Sequence, residues 1–161
     1  LSVILDEVLE EQQAEIQQAG ALIEVEPLPV IVGHQTDIKQ LFQNLLSNSL
    51  KYRRPDVSPI IHIGVVEEPH QFKFSIRDNG IGIEQQYYDR VFQIFQRLHG
   101  RNEYSGTGIG LATCKKVVEI YGGNIWLEST VGVGTTFHFT IPKVIKTVHQ
   151  YAQADSLYSL N

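Results

Sequence analysis

The chain has 161 residues, a hydrophobic share of 42% and a net charge of −5. That length suffices for one domain with a proper core, and the mild acidity excludes a broad basic surface for nucleic acid or anionic lipid. Its one cysteine, Cys114, excludes an internal disulfide and agrees with a reducing compartment, while no apolar run reaches membrane-span length and no signal-peptide pattern opens the chain. The sequence starts at Leu1 and contains no Met, so a fragment of a longer protein is expected.

In chain order, residues 1–19 read as a helix with Leu1, Leu5, Val8, Leu9, Gln12 and Ile16 along one stripe and Gly20 as its stop. Residues 21–26 alternate like a strand, closed by Pro27 and Pro29. A second helix is predicted from about Asp37 to Tyr52, its apolar stripe being Ile38, Leu41, Phe42, Leu45, Leu46 and Ser49. Two alternating strands follow, Ile60 to Val66 and Phe72 to Arg77. Tyr87, Tyr88, Val91, Phe92 and Phe95 mark a third, short helix. A polar stretch from Gln96 to Ser105 leads to a glycine loop and a further helix, ended by Gly122 and Gly123. The final hairpin pairs Asn124–Ser129 with Thr135–Ile141 across Gly132-Val133-Gly134. Helices interleaved with antiparallel hairpins predict an α+β layer pair, a sheet with helices on one face. Residues 144–161 show no clear pattern and are left as a C-terminal tail.

The loop Gly106-Thr107-Gly108-Ile109-Gly110-Leu111 runs straight into a helix. Glycines let a backbone approach a ligand closely, and a helix start offers unpaired N–H groups and a positive dipole end, which suit phosphate. No Lys-Ser/Thr follows as in a Walker loop, and no strand precedes it as in a dinucleotide fingerprint, so alone it fits a phosphate cradle or a plain helix start. On the second helix Asn44, Asn48 and Lys51 share a face beside the apolar stripe. Amide oxygens and a flexible cation suit a phosphate-bound Mg²⁺, although such an edge is also the ordinary solvated border of an amphipathic helix. Asp78-Asn79-Gly80 ends a strand in a tight turn, which is good turn chemistry without any function. It would equally hold an Asp that accepts a hydrogen bond from an exocyclic amine.

Together, in this order and spacing, these elements resemble the nucleotide-binding boxes of sensor histidine kinases. The matching stretches are Gln43–Tyr52, Asp78–Gly82, Phe92–Phe95, Gly106–Leu111 and Gly132–Phe137, covering about residues 1–142. The run Ile94 to His99 with Tyr104–Gly108 is most similar to the phytochrome and multi-sensor branch. The resemblance implies a two-layer α/β sandwich, a mixed, mostly antiparallel sheet covered on one face by three helices (the Bergerat ATP-binding fold), over residues 1–143. It implies ATP as ligand, with Asn48 holding Mg²⁺ and Asn44 beside it, Lys51 on a phosphate, and Tyr52 packed on the adenine side. Asp78 would bond the adenine amine, Thr136 assisting through water, with Gly80, Gly82 and Ile83 near the base. Residues 96–106 would form a mobile ATP lid carrying Arg97 to the γ-phosphate, and Gly106, Thr107, Gly108, Ile109, Gly110 and Leu111 would cradle the phosphates. Lys51 and Arg97 would be the catalytic cations.

Hydrolysing and serine-phosphorylating relatives place a Glu four residues before the Mg²⁺-binding Asn, where it can serve as general base. Here that position is Asn44, a neutral amide. ATP binding without brisk hydrolysis is expected, with transfer to a neutral imidazole that needs no strong base. None of His34, His62, His70, His99, His138 and His149 stands in the family's phosphoacceptor motif. The acceptor is therefore expected on a separate dimerisation domain of a homodimeric parent, with a response regulator downstream, cytoplasmic location, and no nucleic acid or direct membrane contact. The alternative is a catalytically silent nucleotide-sensing or scaffolding module of the same fold.

Overall fold

The computed structural model describes residues 1–95 and 108–143. The first helical stretch is two helices, α1 (Ser2–Glu11) and α2 (Gln13–Ala19), rather than one. They part at Gln12, whose φ of −96° and ψ of 9° leave the helical well. There the side chain reaches sideways, its amide donating to the Gln43 carbonyl at 3.0 Å. Gly20 ends α2 at φ +61°, the left-handed stop read from the sequence. Strand β1 (Leu22–Val25) follows, then α3 (Gln35–Lys51). Asp37 in the first turn of α3 and Lys51 in its last turn both complement the helix dipole.

The sheet comprises β1, β2 (Ile60–Glu67), β3 (Gln71–Asp78), β4 (Ile125–Thr130) and β5 (Gly134–Pro142), in the order β1-β2-β3-β5-β4. Only β1 runs parallel to its neighbour, β2; the other pairings are antiparallel. The two-residue side-chain period puts Ile61, Ile63, Phe74, Ile76, Leu127, Phe137, Phe139 and Ile141 on one face, all buried. That face meets the stripe of α3, together with Leu5 and Val8 of α1 and Cys114, Val117 and Val118 of α4 (Gly110–Ile120). Phe42 meets both Phe74 and Phe139 edge-on, at 6.5 and 5.9 Å between centroids, while those two rings stack at 4.9 Å. Burial of such side chains stabilises by about 2–3 kcal/mol each and fixes α3 over the middle of the sheet. Tyr121, at the end of α4, accepts a hydrogen bond from the His34 amide at 2.8 Å and donates to Asp37 at 3.2 Å, tying α4 to the start of α3.

The third predicted helix does not form. Residues 85–87 make one 3-10 turn, followed by irregular turns to Phe95, whose φ is +62°. The periodicity there records packing, since Tyr88, Val91 and Phe92 lean on the core. A short run of aromatic and β-branched residues has too little intrinsic helix preference to nucleate a helix. Phe95, assigned to the same face, is 73% exposed. The tail at 144–161 lies outside the described residues.

Candidate functional site

Asp78 ends β3 on the helix-facing side of the sheet, where Phe74 and Ile76 precede it. Its Oδ1 accepts the Gly80 amide at 2.9 Å and the Thr135 amide at 3.1 Å, and its Oδ2 accepts the Ser49 hydroxyl of α3 at 3.2 Å. Burial raises its pKa above the usual carboxylate range; the two amides and the hydroxyl act in the opposite direction without cancelling that effect. The result is an acceptor fixed from three elements.

The turn after Asp78 packs against its surroundings without room for side chains. A Cβ on Gly80 would lie 2.5 Å from the Tyr52 carbonyl, which accepts the Ile81 amide at 3.0 Å. A Cβ on Gly134 would come 2.0 Å from the Asp78 carbonyl. Asn79 is structural: its side chain accepts the Ile60 amide and donates to the Ser58 carbonyl, while its own carbonyl takes Arg54 Nε at 2.9 Å. Arg54 also donates to the Gly132 carbonyl at 2.9 Å, joining that turn to the β4–β5 hairpin.

Five residues before Ser49, on a neighbouring face of α3, Asn44 faces the start of α4. A Cβ on Gly110 would lie 3.3 Å from Asn44 Oδ1, and the Asn44 side chain also meets the sulfur of Cys114. That thiol is buried, which pushes its pKa up to about 12 and leaves it unreactive. As at any α-helix start, the first-turn N–H groups of α4, at Gly110, Leu111 and Ala112, have no partner within the helix itself. Gly108, at φ +74°, turns the chain into that helix, and its carbonyl accepts the Phe95 amide at 3.0 Å. Asn48 stands one turn beyond Asn44, half-buried, and Lys51 ends the helix with its ammonium 4.5 Å over the Tyr52 ring.

Asn44, Asn48, Lys51 and Tyr52 lie on α3 and at its end, with Gly110 against Asn44 and Gly80 against Tyr52; Gly82 meets the backbone of Thr130 and Val131, and the Ile83 amide donates to Ser129. Arg97, Gly106 and Thr107 lie outside the described residues. Thr136 is corrected. It pairs opposite Arg77 and Glu128, on the face away from Asp78, whereas Thr135 carries the amide that Asp78 accepts. The hairpin begins at Gly134, and that start fixes the parity. Ser49, Thr135, Ser129 and Tyr88 escaped the sequence reading; for Ser49 alone the signal was present, a polar residue on an otherwise apolar stripe.

Two histidines stack or pair where the strands put them. His62 Nε2 lies 3.5 Å from Glu26, and His138 stacks on Trp126 at 5.2 Å with burial holding its pKa below the usual imidazole range. Among the described residues no group of three or more His, Cys, Asp or Glu could hold a metal, and no helix is long and apolar enough to cross a membrane.

Residues 33–145 match the family model described as histidine kinase-, DNA gyrase B-, and HSP90-like ATPase. Cyanobacterial phytochrome A of Nostoc sp. (strain PCC 7120 / SAG 25.82 / UTEX 2576) is 51% identical over 86% of this chain, which spans 18% of that protein. Among solved structures, the mycobacterial sensor histidine kinase MprB superposes with a TM-score of 0.75 at 24% identity, over 90% of this chain and 95% of that one. Full-length ShkA in complex with AMPPNP also gives 0.75, at 22% identity, over 90% of this chain and 30% of that one. The fold is therefore the α+β sandwich of these kinase domains, and the chain belongs to the family of histidine kinase-, gyrase B- and HSP90-like ATPases.

Proposed function

We propose that this chain is the ATP-binding catalytic domain of a two-component sensor histidine kinase, formed by residues 1–143, which donates the γ-phosphoryl group of ATP to a histidine on a separate dimerisation domain. The observation that carries the reading is that α3 reaches both ends of the site from two neighbouring faces. Ser49, on its buried stripe, is clamped to Asp78, and five residues earlier Asn44, on the polar face beside that stripe, lies against the start of α4. Five residues of helix span about 7.5 Å, comparable to the reach of a nucleoside from its base to its phosphate. One rigid helix therefore spaces an acceptor for a base amine from a set of N–H donors for phosphate. The AMPPNP bound by ShkA supports a ligand of the ATP type.

The residues present fit Mg²⁺ as well. Amide oxygens of Asn48 and Asn44, with phosphate and water oxygens, form the hard donor set that ion takes, and Gly110 has no Cβ to crowd Asn44. When bound, the ion supplies charge neutralisation at the phosphates. Asp78 orients the base, and the first turn of α4 holds the phosphates. Lys51 exchanges the face of Tyr52 for a phosphate oxygen, and Arg97 supplies the second cation. The phosphoryl group passes to a neutral imidazole, whose free electron pair needs no general base. The parent protein would be a homodimer with a response regulator downstream.

Calorimetric titration with a non-hydrolysable ATP analogue, with and without Mg²⁺, tests the reading. Binding in the micromolar-to-millimolar range that strengthens with Mg²⁺ is expected. A folded sample that takes up no nucleotide would point to the scaffolding alternative. Asn44→Glu tests the missing general base: a carboxylate at that place is expected to raise ATP hydrolysis about tenfold or more, read as phosphate release. An unchanged rate would remove Asn44 as the reason for slow hydrolysis.

A further inference from the structure

A serine hydroxyl donates one hydrogen bond and accepts two. Ser129, at the end of β4, uses all three. Its oxygen lies 2.8 Å from the Gly134 carbonyl, 2.8 Å from the Ile83 amide and 2.9 Å from the Thr135 hydroxyl. The carbonyl can only accept and the amide can only donate, so the Ser129 proton goes to Gly134 and the Thr135 proton comes to Ser129. One side chain thereby fastens the end of the Asp78–Ile83 turn to the residue whose amide holds Asp78.

The backbone of Ser129 is fixed from the other side. Among the described residues β4 is an edge strand, so its outward N–H and C=O face no neighbouring strand there. The Tyr88 hydroxyl takes both, donating to the Ser129 carbonyl at 2.7 Å and accepting its amide at 2.8 Å. A single phenol stands where a sixth strand would pair, and it joins the 85–95 segment to the same point.

We propose that Ser129 is a positioning residue for the nucleotide site and Tyr88 its clamp. They act through Thr135 and Ile83 on the placement of Asp78 and do not touch the nucleotide. The proposal rests on the nucleotide reading of the site, and the test separates the two. AMPPNP affinity by calorimetry and the melting temperature without nucleotide are measured for the wild-type chain, Ser129→Ala, Ser129→Thr, Tyr88→Phe and a control, Val8→Ala, in the buried part of α1. Ser129→Ala is expected to weaken AMPPNP binding about tenfold and Tyr88→Phe about fivefold, as the loss of hydrogen bonds of ordinary strength gives. Ser129→Thr, which keeps the hydroxyl, should restore most of the affinity, and Val8→Ala should lower the melting temperature with affinity unchanged. Wild-type affinity in both Ser129→Ala and Tyr88→Phe overturns the proposal, as does an equal loss of affinity in Val8→Ala. If Ser129→Ala does not fold, Tyr88→Phe decides alone. A wild-type chain that binds no AMPPNP overturns the nucleotide reading, and this proposal with it.

Discussion

Asp78→Asn is expected to weaken ATP binding about a hundredfold or more, while the nucleotide-free protein melts no lower than wild type. The affinity loss follows from what each group offers. The carboxylate only accepts, and it is already oriented by the Gly80 and Thr135 amides and the Ser49 hydroxyl. A hydrogen bond to a charged group contributes about 1.5–3 kcal/mol, and an amide NH₂ turned toward the adenine amine opposes donor to donor. About 3 kcal/mol corresponds to a factor of about a hundred. Stability moves the other way. Burial raises the pKa of Asp78 in the folded protein, so its ionised form costs stability above that pKa, and the cost is returned as pH falls through it. Asn carries no charge to bury. Its oxygen can still accept the two backbone amides, and its nitrogen can donate to Ser49. Thermal melts at neutral and mildly acidic pH check this: wild type should gain on the variant as pH falls, the window lying above the ordinary carboxylate range. ATP binding by wild type should weaken over the same window. A variant that still binds ATP, or that melts several degrees lower, would show that Asp78 serves the fold and not the base.

Periodicity exposed most of the scaffold because the core is built on it. The 3.6-residue stripe of α3 and the two-residue alternation of β2, β3 and β5 are also the buried positions, so pattern and packing carry the same information. The parallel pairing of β1 with β2 was not legible, since the partner of an edge strand depends on the crossover through α3. Residues 85–95 misled for a related reason. Tyr88, Val91 and Phe92 are spaced like one helical face, yet Tyr88 is held by the backbone of Ser129 and Phe92 by an edge contact with Phe137, tertiary partners that no local window contains. At the site, the residues with a recognisable box fall on α3 and in the turn after β3. The roles of Ser129 and Thr135 were not legible, because they lie in tertiary contacts, the Ser129 hydroxyl with Ile83 and Thr135 and the Thr135 amide with Asp78. A single-residue shift in where β5 begins would exchange Thr135 for Thr136.

Gly82→Ala is expected to abolish ATP binding and to cost about 3–5 kcal/mol more than Gly132→Ala, which, at the same backbone angle, should cost only about 1–2 kcal/mol. Both glycines have φ +77°, so both variants carry the same left-handed penalty. Their surroundings differ. A Cβ on Gly132 would meet nothing within 4 Å, while one on Gly82 would lie 2.3 Å from the Thr130 carbonyl oxygen and 2.8 Å from Val131 Cα. These are backbone atoms that no rotamer change can withdraw, so the turn and the hairpin must part. Parting strains the Gly132 amide bond to Ile81, at 2.7 Å, and the Ile83 amide bond to Ser129, at 2.8 Å. Each contributes about 1 kcal/mol, and overpacking adds about 1–3 kcal/mol more. Against a total stability of about 5–15 kcal/mol, Gly82→Ala leaves a folded but weakened domain with its base-side turn displaced. Urea unfolding of both variants beside titration with AMPPNP measures the difference. Equal losses in the two would mean that the hairpin yields freely, and then neither it nor Ser129 braces the turn that follows Asp78.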